Sequence, residues 1–223
     1  MTETYDARDR IWLCQASNES MLRKAWNDPK QEDIKLPLLD PQLYALGDKM
    51  ARSEPINAAE IPDWFYEPTK SKPLVRPNHA HLFYANAFGF ISPQVKAVFD
   101  RHDMGDNLIK SVTLFQNDRK TPAHEGFCVL YVCQLKNTFL PEHSPNARQP
   151  YGPDFDVWDP PVVLEGDNRM SLSEKALQGA DLWVEQRVFR TVVFLSDRLV
   201  ANLRAEGLVN EYWGLRACPV VAV

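Results

Sequence analysis

Apolar and polar positions follow no single period along this chain, but one arrangement of them occurs twice. Phe90-Ile91-Ser92-Pro93-Gln94-Val95-Lys96-Ala97-Val98-Phe99 is echoed about a hundred residues later by Phe194-Leu195-Ser196-Asp197-Arg198-Leu199-Val200-Ala201-Asn202-Leu203. In each copy an apolar pair closes a predicted strand, a serine takes the N-cap position, and an amphipathic helix follows. A serine hydroxyl there can accept a hydrogen bond from a backbone N–H of the first turn that has no helical partner. Pro93 suits the first helical position through its fixed φ. Asp197 in the same slot faces the positive end of the helix dipole. Gly105 and Gly207 are predicted to end the two helices as left-handed caps.

The remaining pattern is mixed. Ile11-Trp12-Leu13-Cys14 reads as a short buried strand, Glu19 to Trp26 as a helical turn or two, and Pro41 to Arg52 as a helix capped by Asp40. Pro29, Pro37, Pro55, Pro62, Pro68 and Pro73 discourage regular structure around them. Trp64-Phe65-Tyr66 is expected to staple this stretch onto the main body, with a partner-binding cluster as the alternative. Leu82-Phe83-Tyr84 leads into the first strand–serine–helix unit. Lys110 to Gln116 reads as a strand, followed by a polar turn at Asn117-Asp118-Arg119-Lys120. Phe127 to Leu135 is apolar on both faces, as a covered central strand would be. Residues 141–160 carry Pro141, Pro145, Pro150, Pro153 and Pro160 and are predicted to be loop. Val162-Val163-Leu164 follows as a short strand, then helical turns from Ser173 to Ala180 ended by Gly179. A strand from Arg187 to Leu195 and a last strand within Tyr212 to Val223 complete the pattern. The expected fold is α+β, a single domain over residues 1–223. It has a mixed or antiparallel sheet flanked by helices, the two similar strand–serine–helix units, and an irregular proline-rich N-terminal arm (1–72) packed on a core of residues 73–223.

Charge narrows the partners. The formal net charge of −5 disfavours a nucleic-acid binder, which needs clustered Lys and Arg to neutralise phosphates. No apolar run reaches the roughly 20 residues of a bilayer span, so no membrane association is expected. Met1-Thr2-Glu3-Thr4-Tyr5-Asp6 does not resemble a secretory leader. Cys14, Cys128, Cys133 and Cys218 have neither C-x-x-C spacing nor a disulfide-dense pattern, which suits a reduced, cytoplasmic protein.

There is no G-x-G-x-x-G, G-x-x-x-x-G-K-[ST], G-x-S-x-G or H-E-x-x-H. His79-x-His81 would share one face of a strand but has no evident third ligand. Cys128 or Cys133 could pair with His102, His124 or His143 as a nucleophile, yet both cysteines sit in an apolar strand that favours an inert thiol. Asp154, Asp156 and Asp159 lack the glycine and closing glutamate of a calcium loop. The expectation is no catalytic residue, no metal and no cofactor.

From Glu142 to Glu185 the carboxylates Glu142, Asp154, Asp156, Asp159, Glu165, Asp167, Glu174, Asp181 and Glu185 outnumber Arg148, Arg169 and Lys175. Tyr151, Phe155 and Trp158 are interleaved with the first of them. A solvated surface is one reading. The other is a face for a basic protein, with Tyr151, Phe155 and Trp158 as anchors and Asp154, Asp156, Asp159, Glu165 and Asp167 steering the encounter.

In order and spacing the chain resembles a bacterial immunity-protein family found beside polymorphic toxins and long catalogued as a domain of unknown function. The matching features run from Leu82-Phe83-Tyr84 through Phe90-Ile91-Ser92-Pro93, Met104-Gly105, Leu114-Phe115, Asp118, Phe127 to Lys136 and Glu142-x-Ser144. They continue through Leu182-Trp183-Val184, Phe189-Arg190, Phe194 to Leu199 and Ala205-Glu206-Gly207-Leu208, and end with a final strand, so about residues 80–220 are covered. The resemblance implies a non-enzymatic protein that binds and neutralises a cognate toxin effector of a secretion system. An acidic inhibitor would occlude the active site of a basic, nuclease-type toxin. The alternatives are a small-molecule enzyme, such as a cysteine hydrolase, and an adaptor within a secretion apparatus.

Overall fold

A computed structural model of the chain describes residues 10–18, 45, 46, 48–50, 52–66, 81–85, 88–160, 170–189 and 192–223. Residues 45, 46 and 48–50 are helical, within the stretch read as a helix from Pro41 to Arg52. In chain order the strands and helices described in full are β1 (Ile11–Cys14), β2 (Trp64–Tyr66), β3 (Leu82–Ala85), β4 (Phe88–Ile91), α1 (Pro93–Phe99), β5 (Leu108–Ser111), β6 (Thr113–Phe115), β7 (Pro122–His124), β8 (Cys128–Tyr131) and β9 (Leu135–Lys136). They continue with β10 (Leu172–Ser173), β11 (Leu182–Glu185), β12 (Val193–Ser196), α2 (Asp197–Ala205), β13 (Arg216–Cys218) and β14 (Val220–Val221). The fold is α+β, with antiparallel and mixed sheets.

The echo in the sequence is an echo in register. In the first unit, β3 and β4 form a hairpin that places Leu82 opposite Ile91 and Phe83 opposite Phe90. In the second, β11 and β12 place Leu182 opposite Leu195 and Trp183 opposite Phe194. The backbone N–H of Ser92 donates to His81 at 3.0 Å, and that of Ser196 to Asp181 at 2.9 Å. Each serine then caps its helix, Ser92 Oγ accepting from Val95 at 3.3 Å and Ser196 Oγ from Leu199 at 3.2 Å.

Strand alternation sends neighbouring side chains to opposite faces, and this sorts the core into layers. Leu82, Ile91, Leu182 and Leu195 share one cluster with the buried faces of α1 and α2, including Val95, Phe99, Leu199 and Leu203. Phe83 and Phe90 point the other way, into a cluster with Phe65, Phe88 and Phe127. Trp183 and Phe194 pack in a third, with Ile11, Leu13 and Phe139. The two units therefore meet through their helices, and each closes its outer face with an aromatic cross-strand pair. Phe83 stacks on Phe90 at 4.8 Å, and Trp183 on Phe194 at 6.0 Å.

Around the first hairpin the sheet runs β3-β4-β8-β5, and around the second β13-β1-β12-β11-β9. All of these pairings are antiparallel except β9 with β11. β8 lies between β4 and β5, with Cys128 and Leu130 facing the helices and Val129 the aromatic cluster. Trp64-Phe65-Tyr66 forms β2, which pairs with β6, and Phe65 is fully buried against Phe88 and Phe90. Tyr131 Oη donates to the carbonyl of Glu54 at 2.8 Å and holds the described part of the arm from below.

Several elements differ from the sequence reading. The stretch 110–116 divides at Val112, whose N–H donates to Phe127, whereas that of Thr113 donates to Asp63; the chain changes partner strand there. Pro219, which has no N–H to give a ladder, separates β13 from β14. Arg187 and Phe189 exchange backbone bonds with Trp158, so the strand read over 187–195 enters the sheet only as β12. Ser173–Ala180 contains a 3-10 turn, Glu174–Leu177. Gly207 closes α2 as expected, its N–H bonding to Arg204 and that of Leu208 to Leu203. Gly105 has φ +56° but lies in a separate turn beyond α1, so it caps no helix. Glu19–Trp26, Asp40 and Val162-Val163-Leu164 lie outside the described residues, as does most of the segment before residue 45. Among the described residues no helix is long and apolar enough to cross a membrane.

Candidate functional site

The proline-bearing loop after β9 is built on backbone bonds. Arg148 and Asp159 pair across it, with N–H···O distances of 3.2 and 2.7 Å. Gly152 donates to Gln149 and Phe155 to Gly152, which folds residues 149–155 into successive turns. At its far end Trp158 is the foot. Its backbone bonds to Arg187 and Phe189 at 2.8 Å, and its ring leans half-buried on Phe139.

Tyr151 and Phe155 are placed differently from Trp158. They are 58% and 59% exposed. Their rings meet edge to face at 6.3 Å, and Tyr151 also lies 6.2 Å from the ring of Phe189. Asp154 is exposed on the same turn. Asp156 is gripped by Arg187 through two bonds of 2.7 and 2.8 Å and accepts Trp158 Nε1 at 3.0 Å. These donors, Arg187 first, hold its carboxyl below the ordinary value. Asp159 is half-buried in its backbone bridge. Glu165 and Asp167 lie outside the described residues. The structure thus groups Tyr151, Asp154 and Phe155 at the loop tip and assigns Trp158 and Asp156 to holding the loop in place. Sequence reading did not join Phe189 or Arg187 to the loop, because they lie more than thirty positions beyond Tyr151 and Phe155 and no local pattern links them.

Buried polar groups cluster instead where the two units meet. Asp181 is 1% exposed and accepts from Arg198 Nε at 2.5 Å, His102 Nδ1 at 3.0 Å, the Asp103 N–H at 3.1 Å and the Ser196 hydroxyl. Burial alone would raise its carboxyl, but Arg198, Ser196 and His102 together outweigh it and hold it below the ordinary value. His102 bonds through Nε2 to Asn202 at 2.9 Å. Serine, aspartate and histidine are therefore together, yet the aspartate lies between the other two, so the histidine is not placed to take the serine's proton as a general base must. Glu185, also 1% exposed, accepts from the Thr138 N–H at 2.8 Å, the Phe139 N–H at 3.1 Å and Trp183 Nε1 at 2.8 Å. Lys136 donates to the carbonyls of Ala176, Gln178 and Ala180 and lies 3.7 Å over the Trp183 ring. Burial draws its ammonium down to about 8 despite the nearby carboxylates.

The thiols face carbonyls. Cys14 donates to Trp213 at 3.1 Å and Cys133 to Asp106 at 2.9 Å, while Cys128 lies 3.7 Å from Ser111 Oγ. Burial pushes Cys14 and Cys218 up to about 12, and raises Cys133 with help from Asp106. Cys14, Cys133 and Cys218 therefore stay protonated near neutral pH. His81 is bonded to Ser92 at 3.0 Å, and His79 lies outside the described residues. No group of three or more His, Cys, Asp or Glu suited to a metal occurs among the described residues.

Compared with known proteins, the chain matches no protein-family model and no curated protein sequence.

Proposed function

We propose that this chain is a bacterial immunity protein, which neutralises a cognate toxin by binding it and contributes no chemistry of its own. The observation that carries this reading is the exposed Tyr151–Phe155 pair on a loop tied down by Trp158 and by the Arg148–Asp159 bridge. Large aromatic surfaces kept in water on a rigid support suit a protein contact, because little entropy is lost when they dock. The order and spacing of motifs over residues 80–220, which resemble those of one immunity-protein family, support the same reading, while no family model matches the chain. The net charge of −5 suits a toxin with a basic substrate cleft, such as a nuclease, which an acidic protein would block by mimicking the charge of its substrate.

Co-expression with a candidate toxin from a neighbouring gene tests the reading. Growth restored by the wild-type chain, with the two proteins purifying as a stoichiometric complex, is the expected outcome. Unrelieved toxicity without a complex would overturn it. Replacing Cys128 and Cys133 with valine should leave protection unchanged in a folded protein, whereas its loss would favour cysteine chemistry.

A further inference from the structure

We infer that the Tyr151–Phe155–Phe189 patch is a guanidinium-recognition surface, on which an arginine side chain of the partner protein stacks with Asp154 as its counter-charge. The inference rests on the reading of the chain as a toxin-binding protein and specifies the chemistry of its contact.

Aromatic faces are electronegative and attract a cation placed over them. Here Tyr151 and Phe155 expose more than half their surface, and Phe189 extends the same patch behind Tyr151. The carboxylates around the patch are unequal. Asp156 is paired with Arg187, and Asp159 is half-buried, with its backbone held in the bridge to Arg148. That leaves Asp154, exposed within the same turn as the rings, for an incoming cation.

An apolar partner covering the rings would strip water from Asp154 without replacing it, which is costly for an ionised carboxylate. An anionic partner would meet both Asp154 and the chain's overall negative charge. A guanidinium satisfies both features at once, since its plane stacks on rings while its edge donates to a carboxylate. A lysine ammonium, more strongly hydrated and without a planar face, fits less well.

The test uses the full chain and blocked hexa-arginine, hexa-lysine and hexa-glutamate peptides, followed by NMR of the aromatic side chains. Hexa-arginine should shift the Tyr151, Phe155 and Phe189 resonances and bind several-fold tighter than hexa-lysine, and hexa-glutamate should leave them unmoved. The Tyr151→Ala, Phe155→Ala double variant should weaken hexa-arginine binding by about tenfold, and Asp154→Asn by a few-fold. Unchanged affinity in the double variant, or shifts confined to another surface, would overturn the inference. So would movement of the same resonances with protein concentration alone, which would give the patch to a second copy of the chain. These arms do not use the toxin. Growth rescue with a silent patch would therefore remove only this surface, and a responsive patch without rescue would remove only the immunity reading.

Discussion

The first and second strand–serine–helix units share a backbone and differ in how they are wired. Both hairpins have the same register, both serines cap a helix from the same position, and both back their outer faces with a stacked aromatic pair. The residue before each hairpin is what separates them. In the first unit it is His81, which bonds the cap serine. In the second it is Asp181, which bonds Ser196 and Arg198 in its own unit and reaches His102 and Asp103 across the junction. One serine is a local cap, and the other also belongs to a charged hub that joins the units. A repeated local phrase thus specifies repeated local structure, while a single nearby residue decides whether the copy also carries long-range cohesion.

Removing the feature that the units share should have the largest effect. Phe90→Ala and Phe194→Ala each delete a fully buried ring from an equivalent cross-strand pair and should each cost about 3–5 kcal/mol in chemical denaturation. A loss in one unit far below that in the other would break the equivalence.

Next comes the hub. Asp181→Asn should cost about 3 kcal/mol at neutral pH, because His102, Ser196, Asp103 and Arg198 lose the charge they donate to. The folded carboxyl titrates below the unfolded value of about 3.9, so its contribution is present above that pH and is lost as pH falls through the folded value. The gap between wild type and variant should therefore narrow in unfolding curves taken below pH 4. A gap that stays constant on acidification would show that Asp181 acts through shape rather than charge.

The caps sharpen the comparison further. Ser92→Ala should cost about 1 kcal/mol and Ser196→Ala about 2 kcal/mol, since the second bond that Ser196 loses goes to the charged Asp181 whereas that of Ser92 goes to His81. Equal costs would mean that the hub does not depend on Ser196. Neither substitution should abolish binding of the partner.

The smallest effect belongs to one turn glycine, Gly207. Gly207→Ala meets only the strain of its left-handed backbone, about 1 kcal/mol, because no atom lies within 4 Å of the added Cβ. Gly105→Ala should cost more, as its Cβ would fall 2.3 Å from Gln134 Oε1 and 2.9 Å from Ala180 Cβ. Thermal melts of the two variants would decide the order.

Much of this comparison was legible in the sequence alone. The serines announce two helix starts because capping depends on a side chain and an N–H only three residues apart, and Gly207 announces a helix end for the same local reason. Period and composition likewise marked β1, the covered strand β8 and the polar turn at Asp118, whose carboxylate takes the N–H groups of Lys120 and Thr121. What tertiary structure decided lies in pairings between distant residues. Gly105 has the conformation of a cap yet serves another turn, and Trp158 and Tyr151 look equivalent in sequence while one supports the loop and the other stays in water. Asp181 reads as one more carboxylate of an acidic stretch, but burial and four donors from two distant segments, 102–103 and 196–198, make it the junction between the units. Hydrogen bonds within a turn follow from neighbouring residues, whereas burial and charge pairing depend on which surfaces the folded chain brings together.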